Sequence, residues 1–377
     1  MKRKHFLLAA CMLVCGALCL SSCGDDDGKG STSNPVESVV MESKKSDTAI
    51  LLCTFGSTFE ESIKTYDAII KDYKTTFPNT DVYLSFTSHT CVNRVKAATK
   101  IDRYQPDLWL RALGKAGYKR VAVQSLHVIP GEEYLSLMNT YVKKEFMISR
   151  YPKVKVLKSE NLLSEDDDSE KVAKVLYDAY KKRLDDKKNI VLFMGHGNPD
   201  KSYAPANTKY TDLEKEMHEL AANKNVFVGT VDYGDMLFFP EVEEGEEVPK
   251  DEEVPDTYIY KKLKNYCSKN NLQPSDITIY LASVMSIAGD HAHNDMWGLE
   301  DDDKKVGEAT PYSEFSWRLK LQKMGFKIDM TESHHGETGK CTIKGLGDYP
   351  AIRAIWLDHL KKKYNDEGAW ETGEDYQ

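Results

Sequence analysis

From residue 47 onward the chain alternates short apolar runs with longer stretches in which apolar positions recur every three or four residues. The first run, residues 49–55, has strand length and carries no charge, the pattern of a strand buried on both faces of a parallel sheet. Gly56-Ser57-Thr58 turns the chain out of it, and Phe59, Ile63, Tyr66, Ile70 and Tyr73 then mark one face of a helix. Ser57 and Glu60 have the spacing of a capping box at its start, and Pro78 closes the segment. Further strands are expected at 81–86, 120–129 and 154–157, with helices between them. A helix near 166–184 carries the chain across. The plan then repeats, with strands at 189–194, 225–231, 276–284 and 326–330 and helices near Thr211, Tyr258 and Ser316. A last helix, 350–363, starts with proline at its first turn. This order, run through twice, predicts an α/β protein of two similar doubly wound domains. Each has a parallel four-stranded sheet, and a cleft lies between them.

The two halves also correspond in detail. Ile50-Leu51-Leu52-Cys53-Thr54-Phe55-Gly56 lines up with Ile190-Val191-Leu192-Phe193-Met194-Gly195-His196, and the segment from Val123 to Glu133 lines up with that from Leu281 to His291. A weak internal duplication accounts for this, although two buried strands can share as much by coincidence. Under duplication, Glu133 and His291 take equivalent places facing one cleft, and His196 leaves its strand toward the same edge. The acidic segment 241–253 and the charged run 300–305 read as solvated insertions.

The amino terminus follows different rules. Met1-Lys2-Arg3-Lys4-His5, a short apolar core and Leu20-Ser21-Ser22-Cys23 describe a secretory signal over 1–22. The last four residues resemble a bacterial lipobox, which implies lipidation at Cys23 and attachment to a membrane without crossing it. The polar stretch 23–47 reads as a flexible tether. Its Asp25-Asp26-Asp27 patch resembles the surface-export signal of Bacteroidetes lipoproteins, which implies an outer-membrane anchor on the periplasmic or the outward face. Removing Lys2, Arg3 and Lys4 with the signal leaves 48 Lys and Arg against 60 Asp and Glu, a balance that argues against nucleic acid as a partner. Outside the signal, Cys53, Cys91, Cys267 and Cys341 stand singly and make neither a zinc pattern nor a disulfide framework.

Chemistry concentrates where strands are expected to end. Ala288-Gly289-Asp290-His291-Ala292-His293-Asn294-Asp295-Met296 follows one apolar run, Met194-Gly195-His196-Gly197 closes another, and Glu133 follows a third. Open α/β sheets place ligands at such edges. Two imidazoles and a carboxylate suit a divalent ion, Co(II), Fe(II), Ni(II) or Zn(II). No nucleotide is expected.

With these residues in view, the sequence resembles the anaerobic sirohydrochlorin cobaltochelatases of the CbiK type, class II chelatases, from about Ala49 to Leu360. The marks are Phe55-Gly56-Ser57, Phe86-Thr87-Ser88, Val121-Ala122-Val123-Gln124-Ser125-Leu126-His127, Gly131-Glu132-Glu133-Tyr134, the His196 and His291 motifs, Ser316-Trp317-Arg318, and Gly345-Leu346-Gly347-Asp348 followed by Pro350-Ala351-Ile352-Arg353-Ala354. The resemblance implies a first half 48–184, a second half 185–348, a helix 349–365 returning to the first half, and a tail 366–377. It implies a metal site of His196, His291 and Glu133. The reaction it implies is insertion of a divalent metal, cobalt above all, into a tetrapyrrole, with His196 as both ligand and base. Arg94, with Lys96 behind it, and His89 and Ser57 are placed against the macrocycle. His127 is read as structural, His293 as either a further ligand or a surface group, and His334-His335 as surface. A homo-oligomer is compatible with this reading. The export signal leaves two other readings open: an exported haem- or tetrapyrrole-binding lipoprotein that can remove metal, and a periplasmic metal-binding protein without turnover.

Overall fold

The computed structural model describes residues 34–99, 103–199, 204–234, 236–240, 250–298, 315–331 and 342–377. The secretory signal, Cys23, Cys341, His334-His335 and most of the two charged insertions lie outside the described residues. No described helix is long and apolar enough to cross a membrane.

The elements run α1 (Val36–Ser43), β1 (Thr48–Thr54), α2 (Glu60–Thr76), β2 (Asp81–Phe86), α3 (His89–Thr99), α4 (Pro106–Lys115) and β3 (Arg120–Ser125). A helical turn α5 (Glu132–Leu135) then widens into a π-helix over Ser136–Arg150, before β4 (Lys155–Ser159) and α6 (Asp168–Leu184). The second half holds β5 (Asn189–Gly195), α7 (Ala204–Leu220), β6 (Val226–Thr230), α8 (Ile259–Asn270), β7 (Thr278–Ser283), α9 (Trp317–Lys323), β8 (Lys327–Ile328) and α10 (Pro350–Tyr364).

Both sheets are parallel and four-stranded, in the orders β2-β1-β3-β4 and β6-β5-β7-β8. Leu51 of β1 lies opposite Tyr83 and Val123, and Leu192 of β5 opposite Phe227 and Leu281, so the first strand of each half is central in its sheet. Both central strands are buried over nearly their whole length, as unbroken apolar runs require. The like strand orders put the loops after β1 and β3 in the same relation as those after β5 and β7.

One apolar core joins the halves, taking in Leu52 and Phe86 of the first sheet, Leu176 of α6, Phe193 of β5 and Trp356 of α10. The outer faces of the sheets carry separate cores, one around Trp109 and Phe146 and the other around Trp297 and Trp317. Helix α10 packs on β3, β4, α2 and α6. Helix α6 packs chiefly on α7 and β5. Its place in the chain puts it in the first half, and its packing puts it against the second.

The structure corrects other expectations. The supposed tether 23–47 holds α1, whose Val36 and Val40 are fully buried against the first sheet's outer core. Two valines four residues apart make one helical face, and Lys115 bonds Glu37 at 2.5 Å beside it. The tail 366–377 is docked as well: Glu371 bridges to Val156, Trp370 is buried, and Arg120 lies 4.0 Å over its ring. The capping box does not form. Helix α2 has Phe59 at its N-cap, and the Ser57 hydroxyl instead accepts from the Phe59 amide at 3.2 Å. β3 stops at Ser125 rather than 129, and β8 is reduced to two residues.

Burying a valine stabilises by about 1.5–3 kcal/mol at most. A protein beginning at Asp47, lacking α1, is therefore expected to unfold several degrees below one beginning before Val36. Equal midpoints in thermal unfolding would show that the docked helix contributes nothing.

Candidate metal centre

β5 ends at Gly195, where a side chain would run into the Tyr210 ring. The turn then needs Gly197 at φ +90°, a conformation that strains other residues, and a Cβ there would meet the Tyr233 carbonyl. Sheet pairing continues past the last strand residues: the Val231 amide bonds Gly195 O at 2.9 Å and the Asp232 amide bonds His196 O at 3.2 Å. That ladder carries Asp232, just beyond β6, alongside His196. His291 arrives from the β7 side, where the chain is tied to β5 by the Val284 amide on Met194 O.

The three side chains converge. Asp232 Oδ2 lies 3.6 Å from His196 Nε2 and 3.8 Å from His291 Nε2, and the imidazole rings meet edge to face with centroids 4.8 Å apart. Ligand atoms on a tetrahedral zinc-like ion are about 3.4 Å apart for bonds near 2.1 Å. The two distances to Asp232 are within a few tenths of an ångström of that value, and all three ligand atoms lie within 4.8 Å of one another. The remaining imidazole nitrogens are engaged: His196 Nδ1 with Gly197 O at 2.9 Å, and His291 Nδ1 with Asp295 Oδ2 at 2.7 Å. Bonds at Nδ1 turn Nε2 toward the shared point and raise its basicity.

Burial and the neighbouring His291 hold His196 below the ordinary imidazole range, so it offers a free lone pair. Burial would lower His291 too. The hydrogen bond and charge of Asp295, joined by the charges of Asp232 and Asp290, outweigh it and raise this group.

His196 and His291 thus meet as the sequence suggested, and Glu133 does not join them. The carboxylate that reaches both imidazoles is Asp232, which the sequence reading missed. Glu133 is exposed at the start of α5, near enough for its charge to act on His196 and His127. The available sign of Asp232 was its place: a lone acid at the end of an apolar run next to the one ending in His196.

The other expected groups sort out clearly. His293 is neither ligand nor surface group. It is fully buried, stacks on Phe59 at 3.7 Å and 13°, and bonds Gly289 O. Ser57 is buried in the same seam between halves, beside Gly289. His89 is exposed and bonded to Gln105, and Arg94 is exposed on α3. His127 pairs with the Ser125 hydroxyl at 2.8 Å, and burial holds it below its usual range. Two rings flank His196: Tyr233 at 5.7 Å, which the sequence reading left out, and Phe55 of the first half at 6.5 Å and 40 % exposed, which it named as a family mark without a site role. A second acid–histidine group, Glu165, Asp168 and His359, is structural: Asp168 accepts two backbone amides and His359, and Lys362 holds Glu165.

Paired parallel sheets with a histidine–histidine–carboxylate site at their strand ends define a metal-handling α/β protein with the architecture of a class II chelatase. The cobalt chelatase (CbiK) family pattern matches residues 48–365, and the chain belongs to that family. It is 26% identical over 319 residues to the sirohydrochlorin cobaltochelatase of Salmonella typhimurium, covering 84% of this chain and 96% of that one. It is likewise 26% identical over 316 residues to the sirohydrochlorin cobaltochelatase CbiKC of Nitratidesulfovibrio vulgaris, covering 82% and 88%. Among solved structures, SirB from Bacillus subtilis with Fe3+ aligns with a TM-score of 0.49 at 15% identity, over 86% of this chain and 99% of that one.

A metal must displace the proton that Asp295 favours on His291, so Co(II) affinity is expected to fall as pH drops, beginning above the ordinary imidazole pKa of about 6.5. Asp295→Asn removes the largest part of the upward pull. Its affinity should start to fall only at lower pH, while affinity at high pH weakens roughly 10- to 100-fold with loss of the orienting bond. Metal titration across pH checks both, and an unchanged pH dependence in the variant would refute the assignment.

Proposed function

We propose that this protein is a sirohydrochlorin cobaltochelatase, inserting Co(II) into the macrocycle with release of two pyrrole protons. The observation that carries the reading is the convergence of His196, His291 and Asp232 at the strand ends of a chain in the cobalt chelatase family. The Salmonella typhimurium and Nitratidesulfovibrio vulgaris relatives are named for this activity. Iron is the alternative metal substrate that the same donor set accepts.

In this reading two neutral imidazoles and one carboxylate hold the incoming ion with a single negative charge. That is enough to assist dehydration without trapping the metal against transfer. The base is reassigned. His196 directs Nε2 toward Asp232 and commits Nδ1 to Gly197 O, so while Nε2 held an ion it would have no nitrogen left for a pyrrole proton. Glu133, exposed and close enough to influence His196, is the carboxylate free to accept it. Exposed Phe55 supplies an apolar face beside the metal point for a flat macrocycle to rest on.

The lipobox-like residues ending at Cys23 support anchoring at the outer membrane, with the catalytic body held outside the cytoplasm. An exported enzyme needs its tetrapyrrole outside as well, and this requirement favours haem or corrinoid handling as the competing reading.

Purified protein is expected to insert Co(II) into sirohydrochlorin anaerobically, followed by the shift in the macrocycle's absorption. His196→Ala and His291→Ala should each abolish insertion and cobalt binding. Glu133→Gln should slow insertion by about 10²–10⁴-fold, the usual worth of a general base, with cobalt binding kept. Tight haem binding without any insertion would replace this reading with the competing one.

A further inference from the structure

The geometry points to Asn198 as a positioning residue for metal insertion, fixing Glu133 of the first half against the metal loops of the second. This rests on the chelatase reading above. Asn198 lies two residues beyond His196 and is 5 % exposed. Its side-chain oxygen crosses between halves and accepts the Glu132 amide at 2.9 Å. That amide opens α5, so the bond sets the backbone from which the Glu133 side chain departs. Gly131 makes the approach possible, since a Cβ there would stand 2.8 Å from the Asn198 oxygen.

Asn198 is itself held firmly. The Asn207 carboxamide on α7 grips its backbone from both sides, accepting from Asn198 N at 2.9 Å and donating to Asn198 O at 3.1 Å. The same carboxamide lies against the turn after Asp232: a Cβ on Gly234 would be 3.2 Å from Asn207 Nδ2. One chain of contacts thus runs from the Asp232 turn through Asn207 and the His196 loop to the Glu133 turn. Glu133 acts on a proton of the macrocycle while the metal waits on the other half, so their separation must hold to a fraction of an ångström. A misplacement of about 1 Å costs up to 10²-fold in rate.

The test compares Asn198→Ala, Asn198→Asp and Gly131→Ala in the full protein, alone and with Glu133→Gln. Asn198→Ala and Gly131→Ala should cut kcat for Co(II) insertion roughly 10- to 100-fold. Co(II) affinity, read by titration without tetrapyrrole, should change less than about threefold. Asn198→Asp, which keeps an acceptor oxygen, should recover most of the rate. In the Glu133→Gln background, Asn198→Ala should add little, because it acts through that carboxylate. Wild-type rates in Asn198→Ala, a parallel loss of cobalt binding, or full additivity with Glu133→Gln would each overturn the positioning role. Failure of the unmutated protein to insert cobalt would remove the chelatase reading first, and this role with it.

Discussion

Two imidazole nitrogens stand less than 4 Å from one carboxylate oxygen, and three separate strand ends deliver them. The backbone ladder between β5 and β6 continues two residues past the sheet, so His196 and Asp232 share a support that neither can leave alone. Glycine at 195 and 197 is the condition for that ladder to turn where it does. His291 is brought in separately, by a strand on the other side of β5, and is then turned by Asp295. The centre is therefore an outcome of sheet order: β5 lies between β6 and β7, and each flanking strand contributes one partner to the histidine that β5 presents.

Holding the first half against this centre falls to contacts that carry no metal chemistry. Ser62 donates to Ala288 O, Phe59 stacks on His293, and Thr65 bonds Asp348 at 2.5 Å. Gly347 lies so close to Thr65 of the first half and to Ser286 O that a side chain there would meet both. Around them runs the apolar core common to both halves. The seam explains why His293, two residues from a metal ligand, is itself buried away from the metal. Helical spacing sends residues 291 and 293 in different directions, one into the cleft and the other into the first half.

This also marks what sequence could reveal. Strand and helix order was plain because both central strands are unbroken apolar runs, and His196, between two glycines, and His291, in a Gly-Asp-His turn, stood out as imidazoles after such runs. Asp232 was obscured by abundance, as one acid among 60 Asp and Glu, with its partner relation set by a ladder no spacing rule encodes. Glu133 was overvalued because equivalence under duplication fixes a strand end and not the reach of a side chain. The α1 helix and the docked tail escaped for a related reason. Each is tied down by one or two apolar residues in a polar stretch, Val36 and Val40 in one case and Trp370 in the other, too few to make a periodicity.

The asymmetry between the halves is the productive part of the design. Had Glu133 joined the metal site, its lone pairs would be taken up by the ion, and it could not also accept a pyrrole proton. With Asp232 as the proposed ligand, the second half would hold the ion by itself, leaving the first half to present the exposed ring of Phe55 and the exposed Glu133. In the proposed reaction the ion would enter the macrocycle from one wall as a proton leaves it toward the other. The imidazoles and Asp232 would give up the ion as Glu133 takes one pyrrole proton and solvent takes the second. Like sheets place the two walls at corresponding strand ends, and unlike side chains on them separate the two tasks.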